Sequence, residues 1–176
     1  PPPPPPPPPT PPPPIFFLNA EEDIRDAQES SGLGDVYKRQ SEPDRFPFVD
    51  RIITHTPYSE IVTECTLSTE RFPFLIDHSI DGTPYHPGVM AMEMFAQGAL
   101  LLYPMCILEG FSDVKFGLPI KLMKEEARVR VKAEFSGQDH NSLFIRCHLE
   151  SDLVNSKGEI FGEPRIHHEA MVRLLK

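Results

Sequence analysis

Two histidines, a carboxylate and an amide lie close together in DHSIDGTPYHPGVMAMEMFAQ, residues 77–97. His78 and His86 fall in a stretch rich in Gly and Pro, and Glu93 and Gln97 follow in an apolar run. An imidazole, with an ordinary pKa of about 6.5, can accept a proton near neutral pH. A carboxyl group can donate one while it stays protonated, which burial favours. The set is suited to proton abstraction coupled to loss of a leaving group, or else to a well-satisfied core.

A helix that carries the carboxylate and the amide is predicted over residues 87–102. Proline is favoured in the first helical turn, and Pro104 ends the segment. Apolar residues cover nearly all faces, which predicts a buried helix that also buries Glu93. Gln97 lies one turn after Glu93 on the same face and could orient it. The helix start offers free N–H groups, and Gly88 has no side chain to block them.

Strand patterns account for most of the remaining sequence. Residues 46–55 suggest a short helix or strand, and residues 71–78, interrupted by Pro73, suggest a short turn. Alternation of apolar and polar residues predicts strands over 60–68, 112–122, 127–135, 143–153 and 164–175, the second of these an edge or bulged strand. In the strand over 127–135 the inward residues are predicted to be Ala127, Val129, Val131, Ala133 and Phe135. In the last strand Ile166, His168, Ala170, Val172 and Leu174 are predicted to share one face. The pattern favours an α+β fold in which an antiparallel sheet wraps around one buried helix.

Composition excludes several classes of function. The formal net charge of the 176 residues is −9, and eight acids and four bases fall in residues 1–45, which leaves −5 for residues 46–176. A mildly acidic domain without a basic stripe argues against nucleic-acid binding. No apolar run approaches the ~20 residues that a membrane span needs, and no secretory signal is present, so we expect a cytoplasmic protein. Cys65, Cys106 and Cys147 lack CxxC spacing and are expected to be packing residues without a disulfide or metal.

Residues 1–45 are predicted to lie outside the fold. The opening PPPPPPPPPTPPPP is low-complexity sequence suited to extended polyproline II, either as a linker or as an SH3-type ligand. A third interpretation comes from SGLGDVYKRQ, residues 31–40, whose back-translation matches a common sequencing adapter. On that interpretation the whole segment is an artefact of DNA assembly, and the folded domain covers residues 46–176.

The motifs resemble those of hot-dog-fold dehydratases. His78 to Pro87 fits HxxxGxxxxP, the signature of dehydratase domains in polyketide and polyunsaturated-fatty-acid synthases. The following PGVMAMEMFAQ resembles the helix start of 3-hydroxyacyl-carrier-protein dehydratases, in which an acid six residues after the proline is followed by Gln four residues later. FPFVDRI, upstream, is similar to their lead-in. The resemblance covers most of residues 46–176 and implies a single hot-dog.

The resemblance implies dehydration of 3-hydroxyacyl thioesters on an acyl carrier protein to 2-enoyl thioesters. His78 would be the base, Glu93 the acid, and the Gly88 N–H the donor to the thioester oxygen. Gln97 would support Glu93, and Tyr85 would line the substrate pocket. No cofactor or metal is implied, since the substrate arrives on a phosphopantetheine arm.

Several alternatives remain open. The synthase dehydratases are double hot-dogs that take their acid from a second half, so residues 46–176 are either a first half without its acid or a unit that pairs with itself. A non-catalytic scaffold and a hot-dog thioesterase are competing functions. His86 falls at a variable motif position, as a loop residue or a contact at the pocket mouth. His167 and His168 are adjacent in a strand, point to opposite faces and are not expected to share a metal.

Overall fold

The computed structural model describes residues 45–122, 126–155 and 159–176, so the prediction for residues 1–44 lies outside the described residues. In chain order, the strands of these ranges are β1 (Arg51–Thr56), β2 (Glu60–Ser68), β3 (Ser79–Ile80), β4 (Thr83–His86), β5 (Ile107–Phe116), β6 (Ile120–Lys121), β7 (Glu126–Gln138), β8 (Ser142–Ser151) and β9 (Arg165–Leu175). The helices are α1 (Phe74–Asp77) and α2 (Gly88–Leu102).

One antiparallel sheet and one helix make up most of the described fold. The strand order of the six-stranded sheet is β1-β2-β7-β8-β9-β5, and β3-β4-β6 form a smaller sheet beside it. In β7 the alternation predicted from the sequence holds, because Val129, Val131 and Ala133 are buried beneath α2 while the charged residues between them face outward. The helix packs against β2, β5, β7, β8 and β9. The predicted antiparallel sheet around one central helix, the hot-dog fold, is therefore confirmed.

The central helix begins after Pro87, whose ψ of 132° is extended, and ends at Tyr103, whose N–H donates to the Ala99 carbonyl. Phe95 is fully buried against the sheet, a burial that contributes about 2–3 kcal/mol. Gly98 lets the helix approach closely, since a Cβ there would lie 3.2 Å from Val131 Cγ1. Among the described residues, nothing covers the side chains of Val89 and Glu93 in the first turns of the helix. Val89 is 65% exposed, so the prediction of burial on all faces is wrong for the first turns.

The strand after the helix is an edge, as predicted, although it starts earlier than expected. β5 pairs with β9 on one side, and its register shifts between Leu108 and Gly110 and between Ser112 and Lys115. Gly117 follows it and donates its N–H to the His167 carbonyl at 2.9 Å. A Cβ at Gly117 would lie 2.7 Å from that oxygen, so the close approach requires glycine.

Three predicted details differ in the structure. The segment predicted as a turn before His78 forms the short helix α1. Phe135 is 38% exposed although it still pairs with the buried Ile145, because it lies at the end of α2, where its ring is 6.2 Å from that of Tyr103. Ile166, predicted to share a face with the buried His168, is 47% exposed, because the pairing of β8 with β9 shifts between them.

Cys65 and Cys147 are buried among apolar side chains, as expected of packing residues, and Cys106 is partly buried. Burial raises the pKa of both buried thiols, that of Cys65 to about 12, so neither is a thiolate at neutral pH. No helix among the described residues is long and apolar enough to cross a membrane.

Candidate active site

A tight hairpin positions His78. Asp81 and Gly82 have φ values of 49° and 74°, the pair of positive angles that a two-residue type I′ turn requires. The turn pairs β3 with β4 in the register Ile80↔Thr83 and continues to the Tyr85 N–H, which donates to the His78 carbonyl at 3.0 Å. The three residues between His78 and Gly82 therefore form the first strand and the start of the turn of this hairpin. The segment predicted as a loop is a small antiparallel sheet.

The hairpin also sets the tautomer of His78. Its Nδ1 lies 3.0 Å from the carbonyl oxygen of Tyr85. A carbonyl only accepts, so the proton of neutral His78 is on Nδ1 and the lone pair of Nε2 is free. The ring is exposed, which leaves that lone pair open to a substrate. Ser79 Oγ donates to the Ile76 carbonyl at 2.8 Å and fastens the turn to α1.

The start of α2 supplies main-chain donors beside this hairpin. The first N–H groups of a helix have no acceptor within it, and Gly88 is the first helical residue. A Cβ at Gly88 would lie 2.8 Å from Phe116 Cδ1, so the Phe116 ring rests on the glycine. The role of Gly88 as a donor to a substrate oxygen stays a prediction, and its position at the first helical residue supports that role.

Glu93 and Gln97 are in direct contact, but Glu93 is not buried. The Gln97 Nε2 donates to Glu93 Oε1 at 2.9 Å, and Gln97 Oε1 accepts from the Phe48 N–H at 3.0 Å. Gln97 is 2% exposed, whereas Glu93 is exposed on the open face of α2. The prediction that the chain buries Glu93 is wrong for this chain alone, because nothing among the described residues covers that face.

His78 and Glu93 do not meet within one chain. Across the ranges that the structure describes, no hydrogen bond or ion pair joins them. Each instead has its own partner, Tyr85 for the base and Gln97 for the carboxylate. Within the described residues the two groups are therefore held separately, each by its own hydrogen bond.

His86 lies in the core and not in a loop or at a pocket mouth. It is 3% exposed, and its ring is edge-on to Phe48, with 6.4 Å between the ring centroids. Neither ring nitrogen has a hydrogen-bond partner among the described residues. Burial, together with His168, His78 and His167 nearby, lowers the pKa of His86 to about 4. It is therefore neutral at pH 7, and the prediction of a contact at the pocket mouth is wrong.

Tyr85 serves the site through its main chain. Its carbonyl holds His78, and its half-buried ring lies under the ammonium of Lys121, 5.5 Å from the ring centroid. His167 is held by Ser151 Oγ at 2.8 Å and by the Leu118 carbonyl at 3.0 Å. Within the described ranges no group of three His, Cys, Asp or Glu residues could hold a metal ion.

Sequence reasoning missed Phe48 and Phe116. Phe48 contributes a main-chain N–H, which every residue except proline possesses, so no sequence signal could single it out. Phe116 contacts Gly88 although the two residues are far apart in the sequence, and hydrophobic periodicity gives information only about local structure. The nearest available signal for Phe48 was the aromatic FPF cluster at residues 46–48.

Comparison with known proteins agrees with this geometry. The family model for the polyketide synthase dehydratase domain matches residues 47–148. The 3-hydroxyacyl-[acyl-carrier-protein] dehydratase FabZ of Chlamydia trachomatis is 34% identical over 130 residues, which cover 67% of this chain and 83% of FabZ.

Solved structures show the same fold at low identity. The dehydratase heterocomplex ApeI:P from Xenorhabdus doucetiae has a TM-score of 0.53 at 15% identity, over 75% of this chain and 85% of that one. The dehydratase domain of the CurF module of curacin polyketide synthase has a TM-score of 0.53 at 17% identity, over 73% of this chain and 43% of that one. A thioesterase family protein from Silicibacter pomeroyi has a TM-score of 0.54 at 15% identity, over 81% and 93%. With the fold shared and the family model matching most of the folded residues, this chain belongs to the polyketide synthase dehydratase domain family.

Proposed function

We propose that this protein dehydrates 3-hydroxyacyl thioesters, carried on the phosphopantetheine arm of an acyl carrier protein, to 2-enoyl thioesters. The observation that carries the proposal is the exposed His78 ring, whose Nδ1 is fixed by the Tyr85 carbonyl so that Nε2 is a free base. Membership of the dehydratase family and the likeness to FabZ support the substrate class. The reaction is redox-neutral, so it requires no electron-transfer cofactor.

The residues of the site divide the proton transfers between them. Nε2 of His78 takes the proton from C2 of the substrate, and the electrons of that C–H bond form the C2=C3 double bond. The C3–O bond breaks, and its oxygen leaves as water after receiving a proton from Glu93. The N–H of Gly88 stabilises the negative charge that develops on the thioester oxygen. Proton return from His78 to Glu93 restores both groups.

A second hot-dog completes the site in this proposal. Glu93 is exposed and has no contact with His78 in its own chain, so its counterpart comes from another surface. β5 is an unpaired edge of the main sheet, and Ile107 on it is 69% exposed. Such an edge favours pairing with another sheet. We propose a second copy of this chain as that partner, and a further hot-dog of the same synthase is the alternative.

The test is turnover of a 3-hydroxyacyl pantetheine thioester, followed by mass spectrometry for loss of water and by a thiol reagent for hydrolysis. We expect the wild type to form the enoyl thioester and His78→Ala to lose activity by a factor of about 10² to 10⁴, the usual contribution of a general base. His140→Ala is the matched control, because His140 is an exposed histidine in the β7–β8 turn.

Three outcomes would count against the proposal. Equal activity of the wild type and His78→Ala with released thiol would identify a thioesterase that does not use His78. No product from a folded wild-type protein of confirmed oligomeric state would identify a non-catalytic hot-dog. Loss of activity in His140→Ala to the same degree would show that the His78 effect is unspecific.

A further inference from the structure

The segment Phe46–Asp50, called the lead-in here, packs against the functional helix without being part of the sheet. Phe48 is buried and stacks on Phe72 with 4.8 Å between the ring centroids. The Val49 N–H donates to the Phe46 carbonyl at 3.1 Å and closes a turn around Phe48. This turn presents the Phe48 N–H to the buried Gln97.

Arg71 clamps the lead-in from the far side. Its guanidinium donates from one terminal nitrogen to the Pro47 carbonyl at 2.6 Å and from the other to Asp50 Oδ1. Asp50 Oδ2 accepts from the Thr66 N–H at 2.6 Å, and this contact ties the clamp to β2. A planar guanidinium can hold a carbonyl and a carboxylate at once in fixed directions, whereas a lysine ammonium cannot reproduce that fork.

The lead-in fixes the polarity of the Gln97 amide. An N–H group only donates, so Gln97 turns its oxygen to Phe48 and its NH₂ to Glu93. Glu93 Oε1 thereby accepts a hydrogen bond, and a protonated Glu93 carries its proton on Oε2. Reversal of the amide would aim the Gln97 oxygen at Glu93 and leave the Phe48 N–H facing an NH₂ group, which is unfavourable at a buried position.

We propose that Arg71 is a positioning residue for the dehydration reaction. It acts through Pro47, Phe48 and Gln97 to decide which oxygen of Glu93 holds the transferable proton. The proposal rests on the proposed function and extends it to a residue that holds the lead-in through Pro47 and Asp50. A loosened lead-in would let Gln97 turn, so that Glu93 would present its proton in the wrong direction.

The test is Arg71→Lys, which keeps the charge and loses the fork, with Arg128→Lys as the matched control. Arg128 lies on β7, is largely exposed and has its nearest described carboxylate, Glu64, at 3.8 Å. Two readouts are measured on the full chain: hydrogen exchange of the Phe48 amide by NMR, and kcat and KM per folded molecule, with the folded fraction taken from near-UV circular dichroism. We expect Phe48 exchange to accelerate and kcat to fall by roughly tenfold at unchanged KM in Arg71→Lys alone.

The outcomes separate this proposal from the one on which it rests. Unchanged Phe48 exchange would overturn the clamp, and faster exchange with unchanged kcat per folded molecule would overturn the link to catalysis. A lower melting temperature with normal kcat would show that Arg71 is only structural. If the folded wild type forms no enoyl thioester, the proposed function falls and the catalytic role of Arg71 with it. An active wild type with an unaffected Arg71→Lys variant overturns the role of Arg71 alone.

Discussion

His86 shows how a single buried imidazole links the site to the stability of the chain. The ring lies between the lead-in and β9, against Phe48 and near His168, and its nitrogens lack partners among the described residues. A buried polar group without a hydrogen bond is costly, and a buried charge is costlier. His86 is therefore tolerated as a neutral ring, and protonation of that ring opposes folding.

Acid should destabilise the protein through His86. The folded-state pKa of about 4 lies below the unfolded value of 6.5, so the unfolded chain binds more protons between these pH values. The free energy of unfolding is therefore unaffected by His86 above about pH 6.5, where the ring is neutral in both states, and it falls as the pH drops toward 4. We expect the wild type to lose about 3 kcal/mol more free energy of unfolding over this window than His86→Phe, measured by urea denaturation at each pH.

His140→Ala is the control for this measurement, since His140 is exposed and its removal should leave the pH dependence of the wild type unchanged. Parallel stability curves for the wild type and His86→Phe would contradict the assignment to His86.

At the scale of elements, the short β3–β4 hairpin positions His78, the base of the proposed reaction. Its arms contain only Ser79–Ile80 and Thr83–His86, and it connects the end of α1 to the start of α2. The Leu122 N–H donates to the Pro84 carbonyl at 2.9 Å and fixes β4 to the segment after β6. The direction of the His78 ring thus depends on a turn that needs two positive φ angles.

Replacement of Gly82 should therefore damage both stability and catalysis. At φ 74° an alanine is strained although nothing lies within 4 Å of its Cβ, so the cost is conformational and about 1–2 kcal/mol. We expect Gly82→Ala to lower the free energy of unfolding by that amount, measured with denaturant, and to lower kcat by displacing His78 from Tyr85.

Gly137→Ala is the matched control, because Gly137 also has open space around its Cβ and does not require a positive φ. Equal losses in the two variants would contradict the role assigned to the turn.

The sequence predicted the elements better than it predicted their surroundings. The helix and β7, β8 and β9 were identified because their periodicity is local, and Glu93 with Gln97 because an i, i+4 pair shares a helix face. The burial of His86, the exposure of Glu93 and the hydrogen bond from Phe48 to Gln97 were not predicted. The Phe48 contact joins residues 49 positions apart, and burial depends on which surfaces the finished sheet covers, so neither leaves a periodic signal.

At the scale of the whole molecule, no hydrogen bond or ion pair among the described residues joins His78 to Glu93, the base and the acid of the proposed reaction. The exposed part of α2 carries Glu93, and among the described residues β5 is an edge strand, paired only with β9, that carries exposed apolar residues. Pairing of two copies would cover both the exposed part of α2 and the edge of β5, because in a two-fold assembly the same surface of each chain contacts the other chain.

Mixed subunits test this arrangement. His78→Ala and Glu93→Gln are each expected to be inactive, but equal amounts unfolded and refolded together should recover about a quarter of wild-type turnover, since half of the dimers are mixed and each holds one intact site. A mixture of His78→Ala with the double variant His78→Ala/Glu93→Gln should recover none. Failure of the first mixture to recover activity would contradict self-pairing.

The use of main-chain groups at positions 48 and 85 has a consequence for divergence among relatives. Any residue type supplies the carbonyl that orients His78, and any type except proline supplies the N–H that orients Gln97. These two hydrogen bonds survive almost every point substitution at positions 48 and 85, so they place no constraint of their own on the side chains there. Alignments of this family would then show variable letters at two positions whose backbone contribution never changes.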